Sequence, residues 1–115
     1  MKMKRIEATI QATKVGAVSD AINDIVGGFS ILEGNGRGSG ERQTIRAGRG
    51  TGTMVAEYNK IAVISTVVDD AEVEKVSTAI AGASFTGKGG DGIIVVTNVE
   101  SVQNIASKKT GSEAL

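Results

Sequence analysis

The chain has 115 residues, 40% hydrophobic and 23% charged, with thirteen basic side chains against thirteen acidic ones and no net charge. That is one domain's worth of chain, and without a net field a nucleic acid would have to be held by a local basic patch. Cys and His are absent, which excludes disulfides, soft-ligand zinc and iron–sulfur sites, and the usual general base at neutral pH.

Aromatic residues are confined to Phe29, Tyr58 and Phe85, so the core has to be built from Ile, Val and Ala. Seven of the sixteen glycines fall between Gly34 and Gly52 and four between Gly87 and Gly92. No apolar run is long enough to span a membrane, and no hydrophobic segment follows Met1-Lys2-Met3-Lys4-Arg5; the expectation is a soluble, cytoplasmic protein.

Ile6, Ala8 and Ile10 alternate with Arg5, Glu7, Thr9 and Gln11, predicting a first strand with one wet face. Val18, Ala21, Ile22 and Ile25 then share one stripe of a helix that Gly27-Gly28 should end. Phe29 to Leu32 suits a second strand, and the stretch 34–54, rich in Gly, Arg, Ser and Thr, reads as a long flexible loop. Lys60 to Val68 is a β-branched run predicting the third strand, with Asp69-Asp70 offering an N-cap to a helix carrying Val73, Val76 and Ile80 and ending near Gly82. A glycine-rich turn from Thr86 to Gly92 leads into the fourth strand, Ile93 to Val96, and residues 103–115 form a polar tail expected to be mobile or conditionally ordered.

This order predicts a single α+β domain over residues 1–115, a ferredoxin-like βαββαβ sandwich with the long loop between the second and third strands. Two helices cover one face of a four-stranded sheet. Ile61, Val63 and Val67 nevertheless oppose Ala62, Ile64 and Val68, and Ile93 and Val95 oppose Ile94 and Val96, so both faces are aliphatic. An aliphatic face is seldom left in water, and the expected cover is another copy of the chain; the alternative is that the tail folds back over it in a monomer.

The long loop carries Arg37, Arg42, Arg46 and Arg49 against Glu41. Extended as a hairpin it would project on the order of 30 Å, offering basic side chains to a partner; the plainer alternative is a solvated linker. Gly34-Asn35-Gly36-Arg37-Gly38 directly follows a strand, where backbone N–H groups can form an anion-binding nest. Gly87, Gly89 and Gly92 match G-x-G-x-x-G, but between a helix and a strand, the reverse of the dinucleotide-binding context. Even so, Thr86, Lys88 and Asp91 among those glycines make a compact loop able to wrap phosphate. No nucleophile has a partner base, so no catalytic residue is assigned, and the strands lack the aromatic platforms of an RNA-binding sheet.

Gly34-Asn35-Gly36-Arg37 opening a long loop, Lys60 through Asp69-Asp70, and above all Thr86-Gly87-Lys88-Gly89-Gly90-Asp91-Gly92 before an aliphatic strand resemble the P-II nitrogen-regulatory signal proteins, over nearly the whole chain. The ending Thr110 to Leu115 looks like that family's tail. The resemblance implies a homotrimer of ferredoxin-like subunits with ATP or ADP in clefts between them. It also implies 2-oxoglutarate with Mg2+ joining ATP, and a loop that regulates a partner such as an ammonium transporter or a nitrogen-assimilation enzyme. Direct membrane insertion, nucleic-acid binding and enzymatic activity are not implied, and no metal ligand is assigned to a side chain. Carried over by position, Ser30, Gly36, Arg37 and Gly38 lie at the nucleotide, and Thr86, Gly87, Lys88, Gly90, Asp91 and Gly92 wrap its phosphates. Lys60 pairs with 2-oxoglutarate, and Arg42, Arg46 and Arg49 belong to the partner-binding loop.

The chain departs from that pattern at several positions. Ile93 stands where the family has a phosphate-binding Lys, and Asn104 and Ala106 replace two C-terminal arginines unless Lys108 and Lys109 substitute for them. Gly38 replaces the Gln that helps hold Mg2+, and Thr53 occupies the position of the modified loop tyrosine. Two other readings follow: a divergent sensor on the same scaffold, taking AMP, a cyclic nucleotide or a small anion, and an enzyme built around Lys88 and Asp91.

Overall fold

The protein is described here by a computed structural model covering residues 2–38, 42, 44–46 and 52–115. Its elements are β1 (Met3–Gln11), α1 (Val15–Ile22), β2 (Ser30–Gly36), β3 (Thr44–Arg46), β4 (Thr53–Val55), β5 (Asn59–Asp69), α2 (Val73–Ser84) and β6 (Gly92–Val99). Four strands make one antiparallel sheet in the order β2-β5-β1-β6, while β3 and β4 pair separately within the long excursion. The α+β, ferredoxin-like arrangement expected from the hydrophobic periods is what forms.

β1 is central because it has partners on both sides: Ile6 lies opposite Thr66 and Val96, Ala8 opposite Ile64 and Ile94, and Ile10 opposite Ala62 and Gly92. Its alternation sends Ile6, Ala8 and Ile10 to the helical side, where they meet Val18 and Ile22 of α1 and Val76 and Ile80 of α2. These side chains are at most 2% exposed. A buried branched aliphatic contributes roughly 1.5–3 kcal/mol, so a core without a single fully buried aromatic still holds the sandwich together.

Element ends differ from expectation where pairing or side-chain bonds override local pattern. α1 stops at Ile22 instead of reaching Gly27: Ile25 and Val26 both donate their N–H to the Ile22 carbonyl, at 3.0 and 3.2 Å, in a closing turn. α2 runs past Gly82 to Ser84, whose hydroxyl donates back to the Ile80 carbonyl at 2.7 Å. β2 continues beyond Leu32, because Gly34, Asn35 and Gly36 find Ile61, Lys60 and Asn59 opposite them on β5. The segment expected as an anion-binding nest is therefore strand up to Gly36.

Asp69 does not cap with its side chain. Its Oδ1 accepts a hydrogen bond from the Ser112 hydroxyl at 2.5 Å, which fastens the tail to the end of β5. The tail itself forms a bonded turn. Gln103 bridges Thr110, Asn104 Oδ1 accepts from the N–H of Ala106 and Ser107 at 3.0 Å each, and Ala114 is buried.

The second face of the sheet stays open with the tail in place: Leu32 is 71% and Ile93 65% exposed. At the far end of β1, Gly92 adopts φ +118°, and a Cβ built on it would stand 1.9 Å from the Thr9 carbonyl oxygen. Both obstacles are backbone and neither can move aside. Gly92→Ala is therefore expected to destabilise the fold by roughly 3 kcal/mol or more, read as a lower denaturant midpoint, whereas Gly28→Ala, with nothing within 4 Å of the new methyl, should stay close to wild type.

Candidate functional site

The glycine turn after α2 is organised by one carboxylate. Phe85 leaves the helix extended, and Asp91 then reaches back: Oδ2 accepts the Thr86 N–H at 2.7 Å and the Gly87 N–H at 3.0 Å, while Oδ1 accepts the Thr86 hydroxyl at 2.5 Å. The Thr86 oxygen in turn accepts the Lys88 N–H at 3.3 Å. Gly87, Gly90 and Gly92 all have positive φ, at 86°, 98° and 118°, a backbone that L side chains resist. The Thr86 hydroxyl first and its N–H second hold the Asp91 carboxyl below the usual carboxylate range; desolvation opposes them, and the Gly87 N–H and the Lys14 charge add smaller effects in the lowering direction. Asp91 thus builds the loop from within, and what the loop can offer an anion is backbone N–H and the exposed Lys88.

This turn faces the end of β2 across the tip of the sheet. Gly36, Arg37 and Gly38 on one side and Gly90 and Gly92 on the other line a cleft of about 400 Å3, floored by Thr9, Ile61 and Ile93. Gln11 ties the turn to β1 through a 3.4 Å bond to the Gly90 carbonyl. Gly36 packs closely on β5, since a Cβ there would lie 3.3 Å from the Ile61 side chain, which would have to shift by a few tenths of an ångström. Arg37 donates its Nε–H to the Glu57 carbonyl at 3.0 Å and sets its Cζ over the Tyr58 ring, 5.4 Å from the centroid.

The structure thus joins Gly36, Arg37, Gly38, Gly90 and Gly92 in one place, with Thr86, Gly87, Lys88 and Asp91 forming the adjoining turn. Lys60 lies on β5 between the lining residues Asn59 and Ile61, its side chain alternating to the face opposite that of Ile61. Ser30 is elsewhere. It begins the strand that Gly36 ends, a span of roughly 20 Å, and lines a second cleft of about 490 Å3 together with Arg5, Thr66, Asn104 and Leu115. Lys108 and Lys109 are exposed in the tail turn beside it, Lys108 with φ 61°. Arg42 is exposed, Arg46 pairs through its backbone with Thr53, and Arg49 and Glu41 lie outside the described residues.

Two residues that periodicity did not single out, Thr9 and Asn59, line the cleft by strand register, and Tyr58, in a bend before β5, lies outside the lining but against Arg37. Among the described residues no group of three carboxylates or other metal-ligating side chains forms, and no helix is long and apolar enough to cross a membrane.

Residues 3–109 match the family model described as nitrogen regulatory protein P-II. Proteins carrying that description from Azospirillum brasilense and Rhizobium meliloti are 35% and 36% identical to this chain over 116 residues, covering 98% of it and all of their own length. One from Nostoc punctiforme is 36% identical over 114 residues with the same coverage. The crystal structure of Arabidopsis thaliana PII bound to citrate superposes with a TM-score of 0.79 at 23% identity, covering 99% of this chain and 92% of that one.

The Asp91 bonds make the turn sensitive to acid. A carboxylate whose folded pKa is depressed stabilises the structure above its unfolded pKa and loses that contribution as pH falls through the folded value. The amide resonances of Thr86 and Gly87 are therefore expected to titrate with a midpoint below that of an unperturbed Asp, and Asp91→Asn should abolish the transition; a midpoint at the ordinary Asp value would show that the bonds do not form in solution.

Proposed function

The chain belongs to the nitrogen regulatory protein P-II family, and from that membership we propose that it is a cytoplasmic homotrimer binding an adenine nucleotide between subunits. P-II proteins are regulatory signal proteins, not enzymes. In this reading the nucleotide, ATP or ADP, orders or releases the long loop, and the loop with Arg42, Arg46 and Arg49 regulates a partner in nitrogen metabolism, most simply an ammonium transporter. The observation that carries it is the convergence of Gly36–Gly38 and Gly90–Gly92, from segments far apart in the chain, on one cleft at the tip of the sheet.

Two features support assembly around that cleft. The open aliphatic face, with Leu32, Ile93 and Val95 exposed, needs a cover that the tail does not supply. The Ser30 cleft sits at the opposite end of β2, so packing copies over the open face would bring the Ser30 cleft of one, with Lys108 and Lys109 beside it, to the glycine cleft of the next. Phosphates would then meet the turn N–H groups, Lys88 and Arg37, and the base would lie toward Ser30. Family membership also suggests 2-oxoglutarate at Lys60, whose side chain lies on the face of β5 opposite the cleft floor. The described lining of the cleft has no carboxylate, so a Mg2+ held there would draw on the ligands' phosphate and carboxylate oxygens.

A second reading has one observation in its favour. Arg37 is the single charged side chain among the described lining residues, and Ile10, Ile61 and Ile93 make the wall apolar. That lining suits a ligand with less charge than ATP, namely AMP, a cyclic nucleotide or a small anion.

Calorimetry with ATP, ADP, AMP and cyclic AMP, with and without 2-oxoglutarate, separates the two. ATP or ADP is expected to bind tightest, and Arg37→Ala should weaken it about tenfold, the scale of one charge-assisted hydrogen bond. AMP or the cyclic nucleotide binding tightest would favour the second reading, and no heat from any adenine nucleotide would remove the nucleotide proposal. Sedimentation is expected to show three copies, with Leu32→Glu combined with Ile93→Glu shifting the protein to smaller species; a monomeric wild type would sink the shared cleft.

A further inference from the structure

Tyr58 is the chain's single tyrosine, and no tryptophan accompanies it. Its ring lies 5.4 Å from the Arg37 Cζ, inside the roughly 6 Å over which a ring face attracts a cation. The same guanidinium donates its Nε–H to the Glu57 carbonyl at 3.0 Å. Arg37 directly follows β2, and Glu57 and Tyr58 directly precede β5. One side chain at the exit of the long excursion is therefore clasped to two residues at its return.

Among the described residues this clasp engages Nε and sets Cζ over the ring. A guanidinium held by a hydrogen bond and a ring contact has fewer orientations to give up when an anion binds. Arg37 also lines the glycine cleft. A ligand oxygen that draws the guanidinium toward the cleft must lengthen either the Glu57 bond or the ring contact, both of which belong to the return limb.

We propose that Tyr58 is a positioning residue for the cleft: its ring holds Arg37 ready for an anionic group, and through that contact occupancy of the cleft reaches the return limb of the loop. This rests on the reading of the cleft as a nucleotide site. It differs from that reading in making an aromatic residue outside the cleft lining a determinant of affinity, and in naming the contact by which the loop senses the ligand.

The test uses the full chain with ADP and ATP as probes. Calorimetry is expected to find Tyr58→Phe, which keeps the ring, within twofold of wild type, and Tyr58→Leu, which keeps bulk without a ring face, about two- to fivefold weaker. In an Arg37→Gln background the Leu substitution should cost nothing further. Independently of any variant at Tyr58, protein grown with 3-fluorotyrosine carries one fluorine resonance, expected to shift on adding nucleotide and also in ligand-free Arg37→Gln. Tyr58→Leu binding as tightly as Tyr58→Phe, an equal loss without Arg37, or a fluorine resonance that stays fixed while wild type takes up nucleotide would each overturn the proposal and leave the cleft standing. Wild type that gives no heat with either nucleotide overturns both. Should Tyr58→Leu fail to fold, the fluorine titration decides alone.

Discussion

Ile10 stands opposite Ala62 on one side and Gly92 on the other, and this double pairing of the central strand is the constraint from which both the core and the cleft follow. Moving either neighbour by one residue would turn its entire aliphatic set from the helical side to the open side. The same slip would carry Gly92 away from the Thr9 carbonyl, where only a residue without a Cβ fits. A slip of β5 along β1 would also carry Asn59, with Gly36 opposite it, out of place relative to Thr9 and Gly92. Burial of Ile6, Ala8, Ile10, Ala62 and Ile64 therefore fixes the tip of the sheet to within one residue, and the two glycine segments meet there because the core leaves them no other register.

Charge is distributed around that tip in a way that suits an anion. A bare carboxylate in the turn would repel phosphate. Asp91 instead spends its oxygens on Thr86 and Gly87, and its charge is answered locally by the N–H dipoles and hydroxyl that it orders. Lys88 and Arg37 are cations on the two sides, one with its side chain exposed on the turn and one held between a carbonyl and a ring. Different stiffness gives them different uses: a flexible ammonium follows a charge wherever it sits, while a fixed guanidinium rewards one geometry.

The tail shows how local composition misleads when the partner is distant. Residues 103–115 are polar and look unstructured, yet Asn104 organises them by accepting two backbone N–H groups and donating to the Ala114 carbonyl at 3.2 Å. Ser112 then fastens them to Asp69, a residue whose sequence position suggested a helix cap. None of this has a period. An Asn among Ser and Lys gives the same local signal whether it is solvated or the hub of a turn, and only the proximity of β5 decides.

From the amino-acid pattern alone, β1, β5, both helices and the α+β order were legible, because burial repeats at the period of each element, and the Thr86 to Gly92 string marked a glycine turn together with the family. Tertiary structure decided the rest. β2 runs on through Gly34, Asn35 and Gly36, weak strand formers by propensity, because β5 presents a row of backbone groups to pair with them. Ser30 and Gly36 belong to different clefts since an extended strand holds them apart, and Tyr58 meets Arg37 only because the two ends of the excursion return to neighbouring strands. Periodicity reports which side of an element is buried; it carries no information on which distant residue will stand opposite, and the cleft is made of such pairs.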